Sequence, residues 1–104
     1  MNFNEILNKY IDELNCTSKT LSNVSGISNS VISRYRNGTR IPKPNSSQLN
    51  SLINSLIILN QENNNILDNK EIETNLRKSL NKDEFDYNTL SNNLIELING
   101  LNIN

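Results

Sequence analysis

The stretch TSKTLSNVSGISNSVISRYRNGTRIP, residues 17–42, predicts two short helices joined by a tight turn. Thr17 stands where it can cap the first helix, and Gly26 stands where that helix ends, because glycine tolerates the positive φ of a helix C-cap. Ser28 is the predicted N-cap of the second helix, which covers residues 29–37. The stretch therefore predicts a helix, a turn of a few residues and a second helix.

A further helix is predicted on each side of this stretch. The N-terminal segment has apolar residues at helical spacing, and Asn2 stands three residues before Glu5, as in a capping box. On the other side, Asn45 is predicted to cap a helix that reaches about Leu59, with Gln48 completing its capping box. Together these elements predict four helices in the first part of the chain.

The C-terminal part continues the helical pattern. Residues 60–65 are polar and predict a turn or a frayed helix end, and residues 70–80 predict a fifth helix. An acidic connector is expected over residues 81–87, followed by a last helix over about 88–99. No segment alternates with period two for long enough to predict a strand. The predicted fold is all-α, a compact bundle of four to five helices with one or more additional C-terminal helices.

Two interpretations of the C-terminal part remain open. Shifting the first helix by 87 positions places Phe3 on Leu90 and Leu7 on Leu94, so residues 88–104 resemble the start of the chain. Any two amphipathic helices match in this way, but the match is also what a second unit resembling residues 2–60 would give. We therefore predict a domain over residues 1–60 and an acidic helical extension over 61–104, which serves in dimerisation or begins a second unit.

Charge is distributed unevenly along the chain. Between Leu14 and Gln61 there is no acidic residue, and this window carries five positive charges, whereas the rest of the chain carries five basic and eleven acidic residues. The window is thus +5 and the rest −6, which gives the net charge of −1. Such a basic block is what a phosphate-facing surface needs, although chance clustering on a solvated face gives the same pattern.

Composition excludes several classes of function. The chain has no histidine, and Cys16 is its only cysteine, which removes an internal disulfide, the commonest zinc sites and histidine-based catalysis. It has no glycine-rich phosphate loop, and its carboxylate pairs are sequence neighbours rather than converging groups. We therefore expect no enzyme activity, no cofactor and no metal. No run approaches the length of a membrane span, and we expect a cytoplasmic protein.

The two helices within residues 17–42 must bury one side and expose the other. Leu21, Ile27 and Ile32 fall where the helices meet, and burying each contributes about 1.5–3 kcal/mol. With Ile32 pointing inward, the outward side of the second helix carries short or hydrogen-bonding side chains. Tyr35 is predicted to pack in the core, and Cys16 to be a small buried filler.

The spacing of ten residues in this stretch resembles the helix-turn-helix of the Cro and phage-repressor (XRE) family, which has a lambda-repressor-like fold. The pattern has small Ala where this chain has Ser22, and the likeness extends over residues 3–59, including the proline-containing hinge and the leucine-rich fourth helix. The matching residues are Thr17, Leu21, Gly26, Ile27, Ser28, Ile32, Ser33, Gly38, Arg40 and Pro42.

The resemblance implies sequence-specific binding of double-stranded DNA, with residues 28–37 as a recognition helix in the major groove, in a bacterial, phage or plasmid transcriptional regulator. The implied base contacts are Asn29, Ser30 and Arg34, with Ser33 beside them. The predicted phosphate contacts are Thr17, Ser18, Lys19, Arg36, Asn37, Thr39, Arg40 and Lys43. The alternatives are helix initiation for Asn29 and Ser30, a solvated charge for Arg34 and capping alone for Thr17.

Partners follow from the same hypothesis. One such domain contacts a short stretch of DNA, so we expect either a homodimer or a tandem second unit. The helices built on residues 76–80 and 90–101 are the candidate dimerising surface, unless they complete the core of the monomer. The alternative function is a protein-interaction module on the same fold, such as an antitoxin, an anti-repressor or an assembly factor.

Overall fold

Five α-helices form the part of the chain that the structure describes. The structure is a computed structural model, and it describes residues 1–80. Within those residues there is no strand, so the predicted all-α class is confirmed for them. The predicted connector and last helix, residues 81–104, lie outside the described residues. The helices are α1 (Phe3–Glu13), α2 (Ser18–Ser25), α3 (Asn29–Asn37), α4 (Ser47–Glu62) and α5 (residues 69–80).

The first three helices begin where their caps were predicted. At α1, the Asn2 side chain accepts from the Glu5 backbone N–H at 3.2 Å, and the Glu5 carboxylate accepts from the Asn2 N–H at 3.4 Å. Thr17 caps α2, and Ser28 caps α3, each through its side-chain oxygen. In each case the cap side chain accepts from the backbone N–H three residues later, a group that has no partner inside the helix. The position of a capping residue in the sequence therefore locates the start of the helix.

The predicted start of α4 is wrong by one residue. Asn45 has φ +60°, a left-handed conformation that an N-cap residue does not adopt, and Ser46 is the cap instead. The Ser46 hydroxyl accepts from the Leu49 N–H at 3.2 Å. Gln48 does not complete a capping box with Asn45, because its Oε1 accepts a hydrogen bond from the Tyr35 hydroxyl at 2.7 Å.

The turn predicted over residues 60–65 is confirmed for residues 63–65, but α4 extends further into this segment than predicted. The helix continues past Leu59 to Glu62, and Asn60 is fully buried. Its side-chain oxygen accepts from the Leu67 N–H at 2.9 Å, and its amide donates to the Leu67 carbonyl at 2.7 Å. A polar residue is buried here because it supplies the hydrogen bonds of the loop between α4 and α5.

One apolar cluster joins the five helices. Leu21, Ile27 and Ile32 are buried as predicted, with α1 packed on α3, and α2 packed on both α3 and α4. α5 adds Ile72, Leu76 and Leu80 to the same cluster, so these side chains complete the core of the chain itself. The division into residues 1–60 and 61–104 stays a prediction. None of the helices in residues 1–80 has the length and apolar character needed to cross a bilayer.

Candidate nucleic-acid interface

The turn between α2 and α3 is held by its own hydrogen bonds. Gly26 has φ +76°, and its N–H donates to the Ser22 carbonyl at 2.9 Å. The Ser22 hydroxyl donates to the Ile27 carbonyl at 2.5 Å, and the Ile27 N–H donates to the Ser25 hydroxyl at 3.1 Å. The pattern that this stretch resembles has alanine at the position of Ser22. The serine hydroxyl thus bonds a carbonyl of the turn that alanine would leave without this partner.

The outward side of α3 carries the four predicted base-contact residues. Asn29, Ser30, Ser33 and Arg34 are all exposed, while Ile32 is fully buried on the opposite side. Residues four apart on a helix are neighbours on its surface, so the four side chains form one continuous polar patch. The structure therefore brings these four residues together and leaves them open to solvent.

Tyr35 anchors the inner side of α3. It is fully buried, and its ring meets the Phe3 ring edge-on with centroids 6.2 Å apart. Its hydroxyl donates to Gln48 of α4 at 2.7 Å. Burial raises the pKa of this hydroxyl, and the charge of Arg40 opposes the shift. The predicted packing role of Tyr35 is confirmed, and it connects α3 to both α1 and α4.

The loop after α3 is shaped by a second left-handed glycine. Gly38 has φ +81°, its N–H donates to the Arg34 carbonyl, and a Cβ at this position would meet Asn4 at 3.3 Å. Beside it, the Asn37 Oδ1 accepts from the Thr39 N–H at 2.9 Å and from the Thr39 hydroxyl at 2.7 Å. Asn37 and Thr39 are both exposed, and these bonds hold them next to each other.

The five basic residues in the window between Leu14 and Gln61, which has no acidic residue, differ in their exposure. Lys19, in the first turn of α2, is exposed, as are Arg34, Arg40 and Lys43. Arg36 is half-buried. The ion pair seen within residues 1–80 joins Arg77 to Glu73 and involves no cation of the window. The window's positive charges therefore have no carboxylate partner in the described part of the chain.

The start of α2 holds two of the predicted phosphate contacts in different environments. Thr17 is exposed and caps the helix, accepting from the Thr20 N–H at 3.1 Å. Ser18 is half-buried, and its hydroxyl oxygen accepts a hydrogen bond from Arg36. Capping by Thr17 is thus confirmed, and its contact with phosphate stays a prediction.

Arg36 lies in a network that the sequence pattern did not indicate. Its Nε donates to Oδ1 of Asn8 at 2.7 Å, and its Nη1 donates to Oγ of Ser18 at 2.8 Å. The Asn8 amide in turn donates to the Arg36 carbonyl at 2.9 Å. The network joins α1, α2 and α3. Asn8 had no signal in the sequence, because a polar residue in an amphipathic helix is normally solvated.

Cys16 lies beside this network. It is half-buried against the core, and its thiol donates to the Ile11 carbonyl with the sulfur 3.7 Å from the oxygen. Burial raises the pKa of the thiol, and a backbone hydrogen bond and the charge of Arg36 oppose the shift. Because the thiolate is the reactive form, a raised pKa makes this cysteine a weak nucleophile at neutral pH.

Comparison with known proteins does not identify a relative. No protein-family model matches the chain. No significant match was found among curated proteins or among solved structures. The resemblance to the Cro and phage-repressor family therefore rests on the residues of the chain itself.

Proposed function

We propose that this chain binds double-stranded DNA in a sequence-specific manner, with α2 and α3 acting as a helix-turn-helix and α3 as the recognition helix. The observation that carries the proposal is the outward side of α3. It exposes Asn29, Ser30, Ser33 and Arg34, with no carboxylate among them, while Ile32 and Tyr35 lock the other side into the core.

The chemistry of these side chains suits the major groove. A helix fits the width of this groove, and an arginine can donate two hydrogen bonds to one guanine. An asparagine can pair with adenine in the same two-bond manner. We assign these roles to Arg34 and Asn29, while the short side chains of Ser30 and Ser33 allow the helix backbone to approach the base edges.

Phosphate binding would come from the residues on either side of α3. Lys19 lies at the start of α2, and Arg40 and Lys43 follow the Gly38 turn, all exposed and without a carboxylate partner among residues 1–80. Positive side chains here neutralise phosphates and set the position of the protein without reading sequence. Affinity would then fall with salt, by about 0.9 in log K per tenfold rise in salt for each phosphate neutralised.

Selection from a random duplex pool tests the proposal and supplies a binding site. Arg34→Ala and Asn29→Ala are each expected to lower affinity for the selected site by about 1–3 kcal/mol, since each removes a two-bond base contact. Their affinity for an unrelated duplex should change far less. Arg77→Ala is the matched control, because it removes an equal charge from the ion pair on α5.

Two results would contradict the proposal. One is unchanged site affinity in both α3 variants while circular dichroism shows that they are folded. The other is a wild-type chain that shifts no duplex at low salt, which would favour the protein-interaction module instead. A palindromic selected site would support a homodimer, and an asymmetric or directly repeated site would support a tandem second unit.

A further inference from the structure

The Arg36 guanidinium is fixed in place by hydrogen bonds, and no carboxylate among residues 1–80 is bonded to it. Its two hydrogen bonds, 2.7 Å to Asn8 and 2.8 Å to Ser18, both go to uncharged oxygens. No carboxylate bonds to it within residues 1–80, although the side chain is half-buried. The chain thus holds a positive charge rigidly at the meeting point of three helices.

This arrangement is not what core stability alone favours. Removing part of a charge from water is costly, and a carboxylate partner compensates for more of that cost than a neutral amide does. Asp at position 8 would supply one. With Asn at this position the full charge remains, and the guanidinium has more N–H donors than its two observed bonds use.

The neighbouring hydroxyl is oriented by the same network. The Ser18 oxygen accepts from Arg36, so its own hydrogen can be donated elsewhere. A hydroxyl bonded to a cation in this way is also a stronger donor, because successive hydrogen bonds polarise one another. Arg36 and Ser18 therefore offer adjacent donors that match the oxygens of a tetrahedral anion.

We propose that Asn8 is a positioning residue, which holds Arg36 beside Ser18 as a ready-made receptor for one backbone phosphate of duplex DNA. This inference rests on the proposed function and deepens it. Because Asn8 already orders the guanidinium, less side-chain freedom is lost when the phosphate binds. The receptor joins the start of α2 to the end of α3, so the bound phosphate would fix the position of the recognition helix.

Two substitutions at one position separate the charge of the receptor from its geometry. Asn8→Asp keeps an oxygen for the guanidinium but cancels its charge, so the salt slope of log K should fall by about 0.9. Affinity for cognate and unrelated duplexes should fall together, by about tenfold at low salt. Asn8→Ala keeps the charge but releases the guanidinium, so affinity should fall about threefold with the slope unchanged.

Affinities are measured by fluorescence anisotropy over a salt series, with the selected site and an unrelated duplex of equal length. Arg36→Lys retains the charge but loses the planar guanidinium, whose N–H groups bond to Asn8 and Ser18 at once. It should therefore behave like Asn8→Ala. Arg77→Ala should match the wild type in both affinity and slope. In the unchanged protein, the NMR signal of the Arg36 Nε–H should be visible without DNA and should shift when the unrelated duplex is added.

Several outcomes would overturn the inference. A folded Asn8→Asp variant with wild-type affinity and slope would do so, and so would an Arg36 Nε–H signal that DNA leaves unmoved. If Arg34→Ala loses site preference while Asn8→Asp binds normally, the inference fails and the proposed function stands. If the wild-type chain binds no duplex, both fail.

Discussion

Arg36 and Arg77 are both placed at contacts between helices, and each donates to an asparagine of another helix. Arg77 donates to Asn50 at 2.8 Å and also pairs with Glu73 at 3.1 Å. Arg36 donates to Asn8 at 2.7 Å, and its other partner is a serine hydroxyl. Arg77 is paired with a carboxylate of its own helix, whereas Arg36 has no carboxylate partner among residues 1–80.

The same difference separates two segments of the chain, residues 14–61 and the segment from Asp68 through α5. Residues 14–61 carry only positive charges, whereas α5 and the loop before it mix acidic and basic residues, beginning with Asp68. A surface that mixes charges gains little from each pair and attracts no particular ion. A segment whose charged residues are all basic attracts phosphate. Within residues 1–80 the basic residues of this segment have no carboxylate partner, whereas Arg77 of α5 has Glu73 beside it.

Core substitutions test whether α3 and α5 belong to one folding unit. Of the changes considered, they should have the largest effect on the free energy of unfolding. Ile32→Ala and Leu76→Ala each remove a fully buried side chain from the common cluster. Each should lower the free energy of unfolding by about 2–5 kcal/mol. Urea unfolding followed by circular dichroism should give a single transition for both variants.

The control for the core substitutions is Ile58→Ala, which makes an equal change at a side chain that is 43% exposed. It should cost less than about 1 kcal/mol, because the side chain leaves no closed cavity. A Leu76→Ala variant that unfolds in two steps would show that α5 is a separate unit. The difference in charge between residues 14–61 and α5 would then be a difference between two folding units rather than within one.

Local patterns explain how much of the fold could be predicted. The caps at Asn2, Thr17 and Ser28 act within four residues, and the buried side of each helix follows from its period, so both are visible in the sequence. The start of α4 was misplaced because Asn45 and Ser46 are both good caps. Backbone φ at Asn45 decides between them, and the sequence does not contain it.

In the candidate site, too, the sequence predicts what depends on local spacing and not the contacts between distant residues. The outward position of Asn29 and Arg34 follows from helical spacing once Ile32 is inside, and the structure has both exposed. Asn8 and Arg36 are 28 residues apart, and their contact depends on how α1 packs against α3. No spacing rule reaches that far, and the same is true of the buried role of Asn60.

Tyr35→Phe gives an intermediate effect and probes the inner side of α3. The variant loses one hydrogen bond, from the hydroxyl to Gln48, and keeps the ring packed on Phe3. The free energy of unfolding should fall by about 1 kcal/mol near neutral pH. Thermal or urea unfolding measures this, and α3 should keep its DNA preference because its outward side is unchanged.

The same variant has a predicted pH signature. Burial raises the pKa of the Tyr35 hydroxyl above its ordinary value of about 10, so the folded state holds this proton more tightly than the unfolded state. The stability this provides is complete below about pH 10 and is lost as pH rises through the raised folded pKa. Wild-type stability should therefore fall more steeply above pH 10 than that of Tyr35→Phe. Parallel curves would contradict the role of burial.

Arg77→Ala should have the smallest effect. Its partner Glu73 is one helical turn away, and the two side chains are 31% and 48% exposed, so water and salt screen the pair. Exposed pairs of this spacing contribute about 0.3–0.5 kcal/mol, and the loss should shrink further in about 1 M salt. The bond from Arg77 to Asn50 is also exposed, so water replaces most of it in the variant. DNA affinity should stay within about twofold of the wild type, because a neutralised arginine contributes little to counterion release. An equal loss of affinity in Arg77→Ala and Arg36→Lys would show that position on the surface does not matter, and the distinction between the two arginines would then have no functional meaning.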